Sequence, residues 1–211
     1  SLVAELCVKH NTIAVTDEVY ERLTFEADRP HLHLAMFPGM ADRTVTLSSL
    51  GKTYSLTGWK VGWAIASVEL TRAVRAAHQF LTFCAVVPVQ HGAAELLRHG
   101  EAEVKNLVHR LREGRDYLGS ALAGLGFRVY KPHGTYFIMV DHTSVSRRLG
   151  IDPADDVAFC RTLTTEIGVA AIPPSGFYDH PEHGKPLARF AFCKRKETLE
   201  RAVERLQKLA K

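Results

Sequence analysis

The chain of 211 residues lacks long apolar runs, internal repeats and any stripe of basic residues. No apolar run approaches the length of about 20 residues that a membrane helix needs, and the first residues lack a signal-peptide pattern. We therefore expect no membrane segment. The 27 basic residues are interleaved with 23 acidic ones, and no recognition motif accompanies them. A nucleic-acid partner is therefore not expected.

Cysteine is scarce and scattered. The four cysteines, Cys7, Cys84, Cys160 and Cys193, include no C-x-x-C pair. This spacing in a chain of this length favours reduced, mostly buried thiols over a disulfide framework. Reduced thiols are typical of a cytoplasmic protein, which is the location we expect.

Metal-ligand motifs are also lacking, although the chain contains 11 histidines. The nearest pairs are His31-x-His33 and His180-x-x-His183, both in stretches rich in proline and glycine. Neither pair has an acidic or thiol partner at the spacing of a metal site. We therefore expect no bound metal.

The pattern of apolar residues divides the chain into two parts of different architecture. A hydrophobic fraction of 46% is ordinary for a globular protein. Residues 1–100 mix strands with helices in an α/β order, and residues 101–211 mix shorter strands and helices in an α+β order. The predicted strands are Thr12–Val15, Thr44–Leu47, Trp59–Ile65, Phe127–Tyr130, Tyr136–Val140, Val169–Ile172 and Ala188–Phe192. The predicted long helices are Glu69–Leu81, Val89–Arg98, Glu101–Leu122, Pro153–Ile167 and Glu197–Leu209.

One lysine stands out in the stretch 44–66, TVTLSSLGKTYSLTGWKVGWAIA. The apolar runs at its two ends predict buried strands, and a polar loop with Gly51 and Gly58 joins them. Lys52 lies in this loop, at a turn that Gly51 permits. A lysine in such a position is suited to lose its hydration and attack a carbonyl group as an amine nucleophile.

Other polar residues accompany Lys52 at short distances along the sequence. Ser49 supplies a hydroxyl three residues before it and Lys60 a cation eight residues after it. Asp17 and Tyr20, in the segment TDEVYE, follow another apolar strand. These groups match the needs of pyridoxal phosphate: an amine for its aldehyde, an acid for its ring nitrogen, a phenol for its ring oxygen and phosphate ligands. Asp17 and Tyr20 converge on one ligand only if the chain turns after Asp17.

The segments SSLGKTYSLTGWKVGW and TDEVYE resemble the class I/II aminotransferases of fold type I, and among them the kynurenine/glutamine aminotransferase branch. The resemblance implies part of a large domain, a mainly parallel sheet with helices, in residues 1–100. It implies a small C-terminal α+β domain in residues 101–211. The implied reaction moves an amino group from an L-amino acid, aromatic or kynurenine-like, to a 2-oxo acid. A homodimer is implied for the full-length protein.

The resemblance also assigns roles to individual residues. Lys52 forms the Schiff base with the cofactor, Asp17 keeps the ring nitrogen protonated, and Tyr20 hydrogen-bonds the ring oxygen. Glu18 is the competing acid, but the resemblance favours Asp17. Ser49 and Lys60 bind the phosphate, although many relatives carry arginine at the position of Lys60.

Three further segments match the family outside this loop region. Arg189, in PLARFAFCK, corresponds to the arginine that binds the substrate carboxylate. The segments HGTYF (Tyr136 and Phe137) and AIPPSGFYD (Phe177 and Tyr178) resemble a strand and the rim of the active site. Their aromatic residues are equally typical of a protein core, so no site role is assigned to them.

The resemblance covers only the C-terminal half of such an enzyme. The chain opens at Ser1 inside a helical pattern, so we expect a piece of a longer protein. An NP-x-NP-x-G motif, a residue that stacks on the cofactor and a phosphate-binding turn precede this region in family members. Without them, and with sheet edges left open, we expect the chain alone to be inactive, to bind the cofactor poorly and to aggregate.

Three alternatives share the same residues. A carbon–sulfur β-lyase uses the same lysine, aspartate and tyrosine, and would release pyruvate and ammonia from a cysteine conjugate. A cofactor-sensing domain of a transcription regulator would be non-catalytic and would follow a helix-turn-helix segment. An inactive truncated product is the third.

Overall fold

The computed structural model describes residues 1–210, which form two compact units. The first unit is Ser1–Val108, and the second begins at His109. Each contains its own three-stranded sheet. The predicted domain boundary after residue 100, and the assignment of the two parts to a large and a small domain, stay predictions. Within residues 1–210, no helix combines the length and the hydrophobicity that crossing a membrane requires.

The first unit alternates short strands and helices. Its elements are α1 (Leu2–Lys9), β1 (Ala14–Asp17), β2 (Thr44–Ser49), α2 (Leu50–Thr53), β3 (Gly62–Ile65), α3 (Val68–Leu81), α4 (Val87–His99) and the start of α5 (Glu101–Gly124), with 3₁₀ turns at Leu34–Met36, Ala41–Arg43 and Thr57–Trp59. Two of these helices have typical start signals. Ser67 caps α3 by accepting a hydrogen bond from the Leu70 amide at 3.5 Å, and a proline lies in the first turn of α4.

The sheet of the first unit places β2 between its two neighbours. β1 runs parallel to β2, with Asp17 opposite Leu47, and β3 runs antiparallel to β2, with Gly62 opposite Ser49. The expected mainly parallel sheet is therefore mixed in the described residues, because β2 and β3 are joined without a helix long enough to cross the sheet. Parallel strands end on the same side of a sheet. Asp17 and Ser49 therefore both lie at the sheet edge that is formed by the carboxyl ends of β1 and β2.

Burial in this sheet is uneven. Most of β2 is buried, as predicted, but Val15 in β1 and Ile65 in β3 are 65% and 64% exposed. The prediction that the last strand of the 44–66 stretch is buried is therefore wrong. Its physical reason is position, because β1 and β3 are the edges of a three-stranded sheet and the described residues do not cover their side chains.

The second unit is an antiparallel sheet packed with helices. Its elements are the rest of α5, then β4 (Arg128–Tyr130), β5 (Phe137–Asp141), α6 (Thr143–Arg148), α7 (Asp156–Thr162), β6 (Leu187–Ala191), α8 (Lys196–Leu206) and a 3₁₀ turn at Gln207–Ala210. The strands lie in the order β4-β5-β6, with both pairings antiparallel. Alternate residues of the strands point into the core, which includes Ile138, Val140, Ala188 and Phe190.

Two predicted elements of the second unit differ from those observed. The predicted strand Val169–Ile172 is reduced to one bridge, in which Ile172 pairs with Arg189. The predicted helix Pro153–Ile167 begins only at Asp156, because Asp155 caps it by accepting from the Ala158 amide at 2.8 Å. It then widens into a π turn at Leu163–Ile167.

Candidate active site

Asp17 lies at the carboxyl end of β1, where the chain turns. Its Oδ1 accepts a hydrogen bond from the Val19 amide at 3.3 Å, and the Glu21 amide donates to the Glu18 carbonyl at 2.9 Å. These bonds reverse the chain directly after the strand, as the convergence of Asp17 and Tyr20 requires. The Asp17 side chain is exposed at the sheet edge, and Tyr20 is half-buried.

Lys52 lies in α2, the single helical turn that follows β2. Ser49 caps this turn, because its Oγ accepts a hydrogen bond from the Gly51 amide at 3.2 Å. Lys52 is half-buried, and its Nζ lies 5.9 Å from the centre of the Tyr20 ring. Residues 32 positions apart in the sequence are thereby neighbours, with the amine held against an aromatic face.

The loop around Lys52 is built differently from the prediction. Gly51 is helical and does not have a positive φ; a Cβ at this position would instead lie 3.2 Å from the Ser49 Oγ. Gly51 is therefore needed for its close approach to the capping hydroxyl. The left-handed positions of the loop are Ser55, with φ 57°, and Lys60, with φ 53°.

Lys60 lies beside the start of α2, although its side chain is exposed. The Leu50 amide donates to the carbonyl of Val61, the residue after Lys60, at 3.2 Å. The sheet register adds a second link, since Gly62 lies opposite Ser49. The predicted phosphate ligands Ser49 and Lys60 therefore belong to two chain segments that are hydrogen-bonded to each other.

Arg189, in β6 of the second unit, lies between two aromatic rings. Its guanidinium carbon is 4.4 Å from the centre of the Phe137 ring and 5.0 Å from that of Phe177. Its backbone is fixed by reciprocal 3.0 Å hydrogen bonds with Ile172. Among the described residues, the buried Nε of Arg189 has no hydrogen-bond partner. A flat cation with an unused buried donor is suited to bind a carboxylate.

The sequence assigns no site role to Phe137 and Phe177. The sequence signal for them is that their segments resemble a strand and the site rim of the family. Nothing in their spacing indicates that both rings reach Arg189, because they come from β5 and from a 3₁₀ turn at Ser175–Phe177.

Glu18 is buried, unlike the neighbouring Asp17. Only 6% of its side chain is exposed, and its carboxylate contacts His31, His33 and Thr16. Burial alone would raise the pKa of Glu18, but hydrogen bonds from His31, Thr16, His33 and the Leu34 amide offset it, so the pKa lies below its usual value. The expectation that the His31–His33 pair has no acidic partner is therefore wrong.

Comparison with known proteins gives the family. Residues 2–206 match the family described as aminotransferase class I and II. The chain belongs to this family.

Individual relatives agree with this assignment. A probable N-succinyldiaminopimelate aminotransferase of Mycobacterium tuberculosis is 44% identical over 99% of this chain and 53% of its own length. A kynurenine–oxoglutarate transaminase of Dictyostelium discoideum is 38% identical over 99% of this chain and 52% of its own length. The structure of the N-succinyldiaminopimelate aminotransferase from M. tuberculosis superimposes with a TM-score of 0.90 at 45% identity, covering 99% of this chain and 52% of that one.

These matches confirm the fold class, which is that of the pyridoxal-phosphate aminotransferases of fold type I. The chain spans about half the length of the relatives it matches. Its assignment to the C-terminal half stays a prediction from the sequence. The cofactor of the family is pyridoxal phosphate.

The donor set of the first unit fits that cofactor. The Ser49 Oγ accepts a hydrogen bond from the Gly51 amide, so its own O–H is available to donate to a phosphate. The cation of Lys60 belongs to the neighbouring chain segment. Lys52 supplies an amine beside the phenol of Tyr20, and Asp17 supplies a carboxylate at the same sheet edge as Ser49.

Proposed function

We propose that the protein is a pyridoxal-phosphate-dependent aminotransferase that exchanges an amino group between an L-amino acid and a 2-oxo acid. The observation that carries the proposal is the half-buried amine of Lys52, in a capped turn at the sheet edge and 5.9 Å from the Tyr20 ring. Relatives named as aminotransferases support it.

Lys52 has two chemical tasks in this proposal. When bound, pyridoxal phosphate supplies an aldehyde that condenses with amines and a ring that accepts electron density. Lys52 Nζ first provides the amine that binds this aldehyde. Once the substrate amine has taken its place, Nζ would carry a proton between the substrate α-carbon and the cofactor carbon that receives it.

Asp17 and Tyr20 orient and polarise the ring. The carboxylate of Asp17 stabilises a proton on the ring nitrogen, because a nearby negative charge favours the cationic form. Each unit of pKa gained in this way is worth about 1.4 kcal/mol. The Tyr20 hydroxyl donates to the ring oxygen. Glu18 is unsuited to replace Asp17, because both of its oxygens already accept hydrogen bonds.

Ser49 and Lys60 hold the phosphate. The Ser49 hydroxyl donates one hydrogen bond, and Lys60 contributes a point charge rather than a two-pronged contact. Lys60 has a left-handed backbone conformation, with φ 53°, which is unfavourable for residues other than glycine. A need for a cation at this position would account for a residue other than glycine in this conformation.

Arg189 binds the α-carboxylate of the substrate. This group is common to the amino acids and 2-oxo acids of the reaction, so one arginine serves both half-reactions. The relatives are named for substrates with very different side chains, namely N-succinyldiaminopimelate, kynurenine and methionine. An aromatic, kynurenine-like amino acid is our first choice of donor, since Phe137 and Phe177 provide flat apolar surfaces next to the carboxylate ligand.

The wider setting is proposed from the family resemblance. Residues 1–100 would be part of the large cofactor-binding domain and residues 101–211 the small domain. The active protein would be a cytoplasmic homodimer that needs neither a nucleic acid nor a membrane. Size-exclusion chromatography with light scattering tests the dimer.

Trapping the cofactor on Lys52 tests the assignment directly. The chain, together with the complete gene product if the gene encodes further residues, is incubated with pyridoxal phosphate and reduced with borohydride. Peptide mass spectrometry should find the pyridoxyl group on Lys52. Lys52→Arg, which keeps the charge, should abolish it. Labelling of other lysines in preference to Lys52 would refute the assignment.

Product analysis tests the reaction class. With kynurenine, methionine or N-succinyldiaminopimelate as donors and 2-oxoglutarate as acceptor, glutamate should form in proportion to the donor consumed. Release of pyruvate and ammonia from a cysteine conjugate, without any need for a 2-oxo acid, would instead favour the β-lyase.

A further inference from the structure

Three potential metal ligands meet in the first unit, apart from the residues assigned to the cofactor. They are Glu18, His31 and His33, and one ligand atom from each lies within 4.8 Å of the other two. The Nε2 of His31 is 2.8 Å from Oε2 of Glu18, and Nδ1 of His33 contacts the same oxygen. The two imidazole rings are nearly perpendicular, at 78°, and one nitrogen of each ring points to Oε2 of Glu18.

The second oxygen of Glu18 is held by the protein. Oε1 accepts hydrogen bonds from the Thr16 hydroxyl at 2.8 Å and from the Leu34 amide at 3.4 Å. These two donors fix the carboxylate so that Oε2 faces both histidines. Such bonds to the non-ligating oxygen orient carboxylates in metal sites.

A second carboxylate, that of Glu21, lies beside the cluster and is oriented in the same way. Oε2 of Glu21 is 3.9 Å from Nδ1 of His33, and Oε1 of Glu21 accepts from the Ser48 hydroxyl at 2.6 Å. Glu18 and Glu21 are 6% and 17% exposed, so both acids are largely removed from water. Buried acids gain from a nearby positive charge.

We propose that Glu18, His31 and His33 form a zinc site, with Glu21 or water as the fourth ligand. Two imidazoles and a carboxylate are a ligand set that Zn²⁺ accepts, and oxygen-preferring ions such as Mg²⁺ do not. Tetrahedral Zn²⁺ with bonds of about 2.0–2.1 Å separates its ligand atoms by about 3.3 Å. The present separations lie on both sides of that value, so small side-chain movements complete the site.

The ion would join two segments next to the proposed cofactor site, and the hydrogen bond between Ser48 and Glu21 connects one of them to β2. Glu18 follows Asp17 at the end of β1, His31 and His33 belong to the loop before the Leu34–Met36 turn, and Ser48 belongs to β2. A metal ion in this position would stabilise the sheet edge that carries Asp17 and Ser49. The role is structural, because the proposed ligands include none of the residues assigned to the reaction.

Metal binding to the tag-free chain tests the proposal. After chelator treatment, titration with zinc chloride followed by elemental analysis should give about one tightly bound ion per chain. His31→Gln combined with His33→Gln should weaken binding at least tenfold. The matched control is His180→Gln with His183→Gln, a pair with ring centres 6.0 Å apart and acidic neighbours, which should bind as the wild type does.

Two measurements keep the test independent of folding defects. Thr16→Val removes one hydrogen bond to Glu18 and should weaken zinc binding about 10–100-fold while keeping one ion per chain. Cobalt in place of zinc should give the intense visible bands of a tetrahedral site in the wild-type chain. No zinc binding, binding that survives the loss of His31 and His33, or octahedral cobalt spectra would each overturn the proposal.

Discussion

Arg189 shows how much one side chain depends on its immediate neighbours. The guanidinium is placed between Phe137 and Phe177, and its buried Nε has no hydrogen-bond partner among the described residues. A buried donor left without a partner costs about 1–3 kcal/mol. Binding a carboxylate would remove this cost, so the arrangement favours the ligand over the empty state.

Replacing Arg189 by lysine should therefore impair substrate binding although the charge is kept. Lysine lacks the planar fork and does not stack on both rings, so we expect KM for amino acid and 2-oxo acid to rise about 10–100-fold. Steady-state kinetics measure this, with Arg128→Lys as the control, since Arg128 also lies over an aromatic ring, that of Tyr130. Unchanged KM values in Arg189→Lys would remove Arg189 from the site.

His142 is a second residue whose surroundings determine its chemistry. It is fully buried, stacks on Phe159 with ring centres 4.1 Å apart, and contacts the Lys185 carbonyl through Nε2 and the Ser146 hydroxyl through Nδ1. These partners suit a neutral ring, because Nε2–H donates to the carbonyl and Nδ1 accepts from the hydroxyl. Burial lowers the pKa of His142 below 6.5.

This lowered pKa makes stability depend on pH. Below pH of about 6.5 the unfolded chain binds a proton at His142 more readily than the folded chain does, so the free energy of unfolding should fall as pH decreases. Urea denaturation between pH 7.5 and 5 measures the slope. His142→Gln should be less stable at pH 7.5 but have a shallower slope, whereas His180→Gln, at a position 70% exposed, should follow the wild type. Equal slopes in all three proteins would contradict the assignment.

At the scale of elements, the contact between β2 and β3 depends on Gly62. A Cβ at this position would lie 2.6 Å from the backbone carbonyl oxygen of Ser48. A backbone atom in a paired strand does not move aside without disturbing the register, in which Gly62 lies opposite Ser49. The close approach therefore fixes the strand pair that flanks the turn carrying Lys52.

Gly62→Ala should consequently destabilise the chain by about 1–3 kcal/mol, the usual cost of overpacking. Gly58→Ala is the matched control, because a Cβ there meets nothing within 4 Å, and its effect should stay within about 0.5 kcal/mol. Urea denaturation of both variants measures the difference. Similar stabilities for the two variants would show that β2 and β3 separate without cost.

The agreement between predicted and observed structure differs from element to element. Helical periodicity predicted α3, α4, α5 and α8 to within a few residues, because their patterns are long. The predicted strand Val169–Ile172 is only a bridge, since a short apolar run does not specify a partner. The loop at Lys52 was located correctly, but its left-handed positions are Ser55 and Lys60 rather than glycines.

The sequence patterns did not predict contacts between residues that are distant along the chain. Glu18 contacts His31 and His33 across a loop, although no acidic residue lies near these histidines at the sequence spacing of a metal site. The two rings beside Arg189 come from different elements. In both cases the fold, rather than the spacing along the chain, brings the groups together.

For the whole molecule, the distribution of apolar surface is the main feature. None of the residues of α3 is buried, and at its end Phe80, Leu81 and Phe83 are 86%, 84% and 79% exposed. Ile65 in the edge strand β3 is exposed as well. Large exposed apolar patches are characteristic of interaction surfaces or of aggregation.

The chain alone should therefore self-associate through the end of α3. Light scattering after size-exclusion chromatography should show species larger than a monomer at micromolar concentration, and the cofactor should be taken up substoichiometrically. Replacing Phe80, Leu81 and Phe83 by serine should shift the distribution toward the monomer, because each Å² of apolar surface buried on association contributes about 25 cal/mol. Leu32→Ser with Met36→Ser, at positions 69% and 81% exposed in the loop before β2, should change it much less. A wild-type chain that stays monomeric and binds one cofactor would show that its exposed apolar surface drives neither association nor loss of the site.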